Sequence, residues 1–401
     1  AAAAGSAFVG GAFTLYDPVP RAGLAAIRLS DGAVLPFDAR LQSPTNLARP
    51  VVNTLTLVSN ALFVGGEFSV ASEQPRTNIA ALDADTGAPL PWIASASSTV
   101  DVLHVAGTNL FVAGRFTQLA GAARTNLGAV SIETGTATDW APNPNNSVLS
   151  LASGPDGTLY AGGNFTSIAG QTRGRIAAFN PAGALTPWDP FANGAVQSIV
   201  ALSNAVLAGG NFISIGGQTR TNVAALSTEL GTALDWVCTT DQRVRFLSVE
   251  GGELYLAGDF TRVNGQPRSR AAAVALTNAA LQPWAPSFSG TVTALAIDQE
   301  TTIAGGDFVT VSANNHPGLA AFRESGYAVL SALRPPAGLL QVVVEGNNGE
   351  TYVLEVSTNL ASWASLRTNT TVNGVFRYTV PPVPDLDFRS FRTRSGRNPG
   401  Q

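Results

Sequence analysis

The chain has 401 residues, 45% of them hydrophobic and only 12% charged, about half the usual charged share. Its net charge of −4 carries no basic stripe, which argues against nucleic acid as a partner, and no apolar run approaches the ~18 residues of a membrane span. All 23 basic residues are arginine, which removes Schiff-base and lysine general-base chemistry.

Methionine is absent, and the chain opens with Ala1-Ala2-Ala3-Ala4-Gly5-Ser6. Such small residues are typical around a signal-peptidase cut. Two readings follow: a leader has been removed, or the sequence begins internally. The first predicts an extracellular or cell-surface location.

From residue 11 onward a glycine is followed two residues later by phenylalanine, seven times. The phenylalanines are Phe13, Phe68, Phe116, Phe165, Phe212, Phe260 and Phe308, with steps of 55, 48, 49, 47, 48 and 48 residues. A period of roughly 40–50 residues built from short strands is the signature of a β-propeller, one blade per repeat.

The second unit shows the pattern. Val51–Leu57 reads as a first strand and Leu62–Phe68 as a second, followed by a polar loop through Arg76. Ile79–Leu82, the Asp85-Thr86-Gly87 turn and a last strand reaching Pro91-Trp92 complete it. Four strands per unit are therefore expected. The third strand is apolar without alternation, as in Ile176–Phe179 and Val223–Leu226, which fits a strand covered on both faces. The paired glycines predict a bulge or close backbone contact.

Eight residues after the phenylalanine stands an arginine: Arg21, Arg76, Arg124, Arg173, Arg220 and Arg268, with His316 in the seventh unit. About 24 residues after it stands an aromatic: Phe37, Trp92, Trp140, Trp188, Trp236 and Trp284. A residue needed so often around a ring is expected to be structural, the arginine clamping a loop carbonyl or a neighbouring blade and the indole filling the wedge between blades. The alternative is a ring of sugar-binding pockets built on the aromatics.

The consensus Leu-Tyr-x-Gly-Gly-x-Phe-Thr-x-Ile-x-Gly-Gln-x-Arg-x-Asn-Ile-Ala-Ala-Leu…Pro-Trp, clearest at 159–188 and 207–236, resembles the delta-60 repeat. That is a bacterial β-propeller repeat family of unassigned function, and the resemblance covers roughly residues 7–323. It implies a secreted or surface protein and brings no catalytic residues.

After Phe322 the pattern breaks, and Pro335-Pro336 marks a linker. Strand-like runs follow at Leu340–Glu345, Tyr352–Ser357, Val375–Val380 and Phe388–Thr393. The stretch from Gly349 through Trp363, with Phe388–Arg392, is similar to a small β-sandwich-like module at the C-termini of secreted Verrucomicrobia-type proteins. The expected organisation is a propeller over 1–333, a linker over 334–338, a β-module over 339–396 and a tail over 397–401.

Each unit from the second onward has a first strand about 13 residues before its phenylalanine, but for Phe13 that position precedes residue 1. Two closures are open. Tyr327–Leu333 supplies the strand within the chain, or a neighbouring molecule adds one to the unpaired edge and builds a filament.

Candidate chemistry is sparse. His104 lies on a first strand as a core or channel-facing imidazole, and His316 replaces a clamp; no local motif supports a triad or a histidine metal site. Glu67, Asp259 and Asp307 precede their phenylalanines, alternating with Ala12, Arg115, Asn164 and Asn211. If these ring an axis, they offer a place for a cation or polar ligand. The Asp83–Gly87 stretch lacks the downstream ligands of a calcium loop and is a turn. Cys238 is alone, so no intrachain disulfide forms. It reads as a small buried core residue, with an intermolecular bridge or reactive thiol as the alternative.

The expected protein is thus an all-β, seven-bladed propeller with a small C-terminal β-sandwich-like module. No catalytic, cofactor-binding or metal residues are expected, and no enzymatic activity. Its expected role is structural or adhesive, binding other copies of itself or surface components. A glycan-binding propeller is the alternative, and a hydrolase or lyase in the axial channel a third.

Overall fold

The computed structural model describes residues 2–3, 6–16, 19–28, 33–43, 49–297, 301–312, 314–323, 329–333, 341–345, 351–357, 364–371, 375–379 and 390–395. The regular elements among them are all strands. Two compact units result, one of 1–296 with 304–320, the other of 297–303 with 321–401. The expected linker 334–338, Tyr327, Gly349, Trp363, Phe388 and the tail 397–401 lie outside the described residues.

Each of the seven units forms one three-stranded antiparallel sheet and one two-stranded ribbon. In the fourth unit the sheet joins Val148–Ser153, Leu159–Gly163 and Ile176–Phe179. Its ribbon pairs Ser167–Ile168 with Gln171–Thr172 directly after Phe165. The ribbon's neighbouring turn carries Ala169 and Gly170 at positive φ.

In the first six units the expected fourth strand is reduced to a single bridge: Ile27 with Val34, Leu82 with Pro89, Val130 with Ala137, Phe179 with Leu185, Leu226 with Ala233, and Val274 with Leu281. Beyond that bridge the repeated arginine takes the next carbonyl. Arg76 Nη2 donates to Leu90 O at 3.1 Å and Arg220 Nη2 to Leu234 O at 2.8 Å. In several units a proline without N–H then precedes the tryptophan, so no ladder can continue.

The cores lie between consecutive sheets. Phe63, Ile79 and Ala81 of the second unit pack with Val100, Leu110 and Val112 of the third, while Leu62, Val64 and Ala80 face Phe8, Leu24 and Ala26 of the first. The same division recurs between the third and fourth, fourth and fifth, and fifth and sixth units. Middle and third strands are therefore covered on both faces, and their apolar runs show no alternation.

Both glycines of the repeat have a spatial reason. A Cβ on Gly66 would lie 2.0 Å from Val51 O, because the first strand bulges between Val52 and Thr54. On Gly65 it would lie 2.6 Å from Val100 Cγ1 of the next unit.

The first unit is not without its edge strand. Ala2–Ala3 pairs with Ala7 and Ser6, on the side that the long first strand occupies in later units. The chain reaches that edge by turning back on itself, which the thirteen-residue spacing did not anticipate. The segment expected to close the ring goes elsewhere: Val329–Leu333 pairs with Gln341–Glu345, within the compact body of 297–303 and 321–401.

In that C-terminal body Val329–Leu333, Gln341–Glu345 and Val375–Thr379 form one sheet. Ala364–Thr370, Thr351–Ser357 and Ser390–Ser395 form another. Val342, Val344 and Phe376 of the first sheet share a buried cluster with Tyr352 and Leu354 of the second.

Candidate functional site

The repeated aromatics and arginines are consumed in packing. Trp92 Nε1 donates to Ser131 O of the next unit at 2.9 Å, Trp140 to Gly183 O at 2.9 Å, Trp188 to Ser227 O at 2.9 Å and Trp236 to Ala275 O at 3.2 Å. Trp92, Trp140 and Trp188 also meet an aromatic of their own unit edge-on, as in Tyr160–Trp188 at 5.1 Å. Trp92 at 6% and Trp188 at 5% exposure present little more than an edge to solvent. Each arginine clamps a loop carbonyl of its own unit, not a neighbouring sheet. His316 keeps the backbone bond of that slot, donating to Val309 O, but its side chain is exposed.

His104 Nε2 lies 2.7 Å from Ser153 Oγ of the next unit's first strand, and burial holds its pKa below the ordinary histidine value. The neutral imidazole thus ties two sheets together. No carboxylate hydrogen-bonds it among the described residues, so the pair is not a triad. Cys238 is fully buried, and burial pushes its thiol up to about 12.

The polar ends of the first strands are where the units differ most. Two positions flank the buried valine there: Val51 and Asn53, Thr99 and Asp101, Ser147 and Leu149, Ala195 and Gln197, Arg243 and Arg245, Thr291 and Thr293. Asn53 Nδ2 donates to Asp101 Oδ1 at 3.2 Å, and Arg115 Nε lies 3.3 Å from Asp101 Oδ2. Burial raises the Asp101 pKa, and Arg115 acts against that rise.

The sixth unit concentrates charge. Arg243 Nε donates to Asp259 Oδ2 at 2.7 Å, Arg245 Nε to Asp259 Oδ1 at 3.0 Å, and Thr291 of the seventh unit donates its hydroxyl to Oδ1 at 2.8 Å. Arg270 Nη1 donates to the Asp259 carbonyl. Burial alone would raise the Asp259 pKa, but hydrogen bonds from Arg245, Thr291 and Arg243 overcome it and hold the carboxyl down at about 2.

Asp259 is therefore an acceptor saturated by arginine, not a cation ligand. Glu67 and Asp307 are exposed, and Asn164 donates to Ser147 Oγ at 3.0 Å. Among the described residues no three His, Cys, Asp or Glu side chains converge as a metal site would need. Sequence reasoning singled out Asp259 but missed its arginines. The signal was available in the register: no other unit carries two charges of one sign around that valine, and Arg270 stands where Asn78, Asn126 and Asn222 reach a linker carbonyl instead.

Residues 154–185 match the family described as "Domain of unknown function (DUF5122) beta-propeller". The repeat is similar to a propeller repeat. No curated protein matches the chain. Among solved structures, the computationally designed Ika8 protein is 14% identical, with a TM-score of 0.46, covering 84% of this chain and 89% of its own. The extracellular domain of the one component system BT4673 from B. thetaiotaomicron is 14% identical, with a TM-score of 0.48, covering 83% of this chain and 41% of its own. YCF48 bound to D1 peptide is 11% identical, with a TM-score of 0.45, covering 75% and 84%. No helix among the described residues is long and apolar enough to cross a membrane.

Proposed function

We propose that the chain is a seven-bladed, delta-60-like propeller with a small C-terminal β-module, acting as a non-catalytic scaffold outside the cell or on its surface. Its partners are other copies of itself or surface proteins. The observation that carries this reading is the distribution of side chains. The repeated Arg, Trp and Phe are spent within and between sheets, whereas Ile93, Phe191, Ile213, Leu230, Val237 and Val309 stand 49–72% exposed.

Four of these six fall at two equivalent places. Ile93 and Val237 each follow the tryptophan, and Ile213 and Val309 each follow the phenylalanine, where other units carry Ser or Thr. Apolar side chains exposed at recurring positions favour protein contacts. Among the described residues Ala2–Ala3 forms the edge of the first unit's sheet, and an exposed sheet edge is a template for strand addition by a second copy. Light scattering with electron microscopy tests self-association: a monodisperse 41.2 kDa particle at every concentration, with no filaments, overturns it.

One observation favours glycans as partners instead. Shallow grooves of about 410 Å³ and about 280 Å³ repeat one chemistry, Pro91, Trp92 and Glu133 in the first and Pro187, Trp188 and Glu229 in the second. Binding on a glycan array that is lost on Glu229→Gln supports that reading.

A further inference from the structure

The Asp259 cluster holds more positive charge than Asp259 requires. Two guanidinium groups, from Arg243 and Arg245, meet one carboxylate, and a third, from Arg270, meets the backbone carbonyl of the same residue. They sit on a chain whose net charge is −4. A lone ion pair would neutralise the aspartate. The equivalent positions of the fifth unit, Ala195, Gln197 and Asn211, manage with no ion at all.

The geometry of the excess is specific. Arg245 gives Asp259 only its Nε, so its Nη1–Nη2 edge has no acceptor among the described residues. Arg243 uses Nε and Nη2 on Asp259 Oδ2 and leaves Nη1. The two side chains are 35% and 33% exposed, against 14% for Asp259. Asp259 and Thr291 thus fix the guanidinium groups from beneath while their outer edges meet solvent. A planar fork fixed in advance, half desolvated and open on its outer edge, matches the two oxygens of a carboxylate.

We propose that Arg243 and Arg245 form a receptor for the carboxylate of an acidic peptide segment, with Asp259, Thr291 and Arg270 as positioning residues. Asp259 orients both forks and lowers the charge enough for the arginines to lie side by side. Arg270, in the left-handed conformation with φ 72°, turns inward to the Asp259 carbonyl instead of out to the linker. The bound carboxylate would accept two hydrogen bonds from Arg245 and a third from Arg243 Nη1.

The test is fluorescence anisotropy of a fluorescein-labelled penta-glutamate peptide against the full chain at low ionic strength. Arg245→Gln should weaken binding about tenfold or more, the loss expected for a charge-assisted pair. Arg245→Lys, which keeps the charge but not the fork, should weaken it several-fold and stands in if the first variant does not fold. Arg262→Gln, on the exposed ribbon with its guanidinium turned to Gly265 O, should bind as the parent does. Glutarate should displace the peptide at lower concentration than inorganic phosphate. Absence of binding by the parent, equal binding by both Arg245 variants, or preferential displacement by phosphate overturns the proposal.

Discussion

Thr54 Oγ1 accepts a hydrogen bond from the backbone N–H of Leu103 at 3.1 Å, joining the first strands of the second and third units. Ser150 accepts likewise from Ile199, and Ser198 from Leu247, both at 2.9 Å. The residue paired with each hydroxyl is a glycine, Gly65, Gly162 or Gly209. Where the hydroxyl gives way to Val102 or Phe246, the paired residue is Ala113 or Ala257. The two choices belong together: the bare glycine lets the next sheet close in, and only then does the hydroxyl reach its backbone.

Thr54→Val should therefore cost about 1 kcal/mol, the net worth of a hydrogen bond whose donor loses its partner. Gly65→Ala should cost about 1–3 kcal/mol through overpacking against Val100. The double variant recreates the Val102–Ala113 pairing of the next unit, so its cost should fall below the sum of the two. Denaturant unfolding of all four proteins measures the coupling, expected at about 0.5–1 kcal/mol; strict additivity would show that the pairing is incidental.

Trp188 both fills the space between the fourth and fifth sheets and bonds across it. Trp188→Phe should keep most of the packing and lose the bond to Ser227 O, for about 1 kcal/mol. Trp188→Ala should cost about 3–5 kcal/mol. Thermal melts separate the two contributions, and equal losses would mean that the indole N–H carries the whole effect.

Much of this architecture is legible in the sequence because the repeat writes each constraint several times. Gly66 and its equivalents mark the first-strand bulge, and Ile79–Leu82 marks a strand covered on both faces. The fourth strand misled because Leu90-Pro91-Trp92 has the composition of a strand, while its ladder is ended by Arg76, fourteen residues earlier. The edge at Ala2–Ala3 was hidden because poly-alanine carries no strand signal. At the charged cluster, Asp259 lies on a repeated position and was visible. Arg243 and Arg245 depart from the repeat on a different strand, and only folding brings them to the same carboxylate.

Asp259 gives stability a defined pH dependence. Its carboxyl titrates at about 2 in the folded chain, against an ordinary value of 3.8. A depressed pKa means that its contribution is fully present above the ordinary value and is lost as pH falls toward the folded one. Asp259→Asn should cost about 1–2 kcal/mol at neutral pH, since it leaves two half-buried arginines without their counter-charge. The gap between variant and parent should narrow between about pH 4 and about pH 2. Melting curves across that range check this, and a gap independent of pH would show that the ionised carboxylate contributes nothing.

Cys238 supplies an independent probe of the fold's opening. Its side chain is fully buried between the fifth and sixth sheets, and burial holds the thiol up at about 12, so almost no thiolate exists at neutral pH. The nucleophile in disulfide exchange is the thiolate, and reagent must also reach it. Reaction with an aromatic disulfide should therefore be negligible in the native protein and rapid in denaturant. At intermediate denaturant its rate should follow the unfolded fraction seen by tryptophan fluorescence. Trp188→Ala, which loosens the adjacent pair of sheets, should raise the logarithm of that rate in proportion to its loss of stability. Fast modification of the native parent would instead mean that the fifth and sixth sheets part locally without global unfolding.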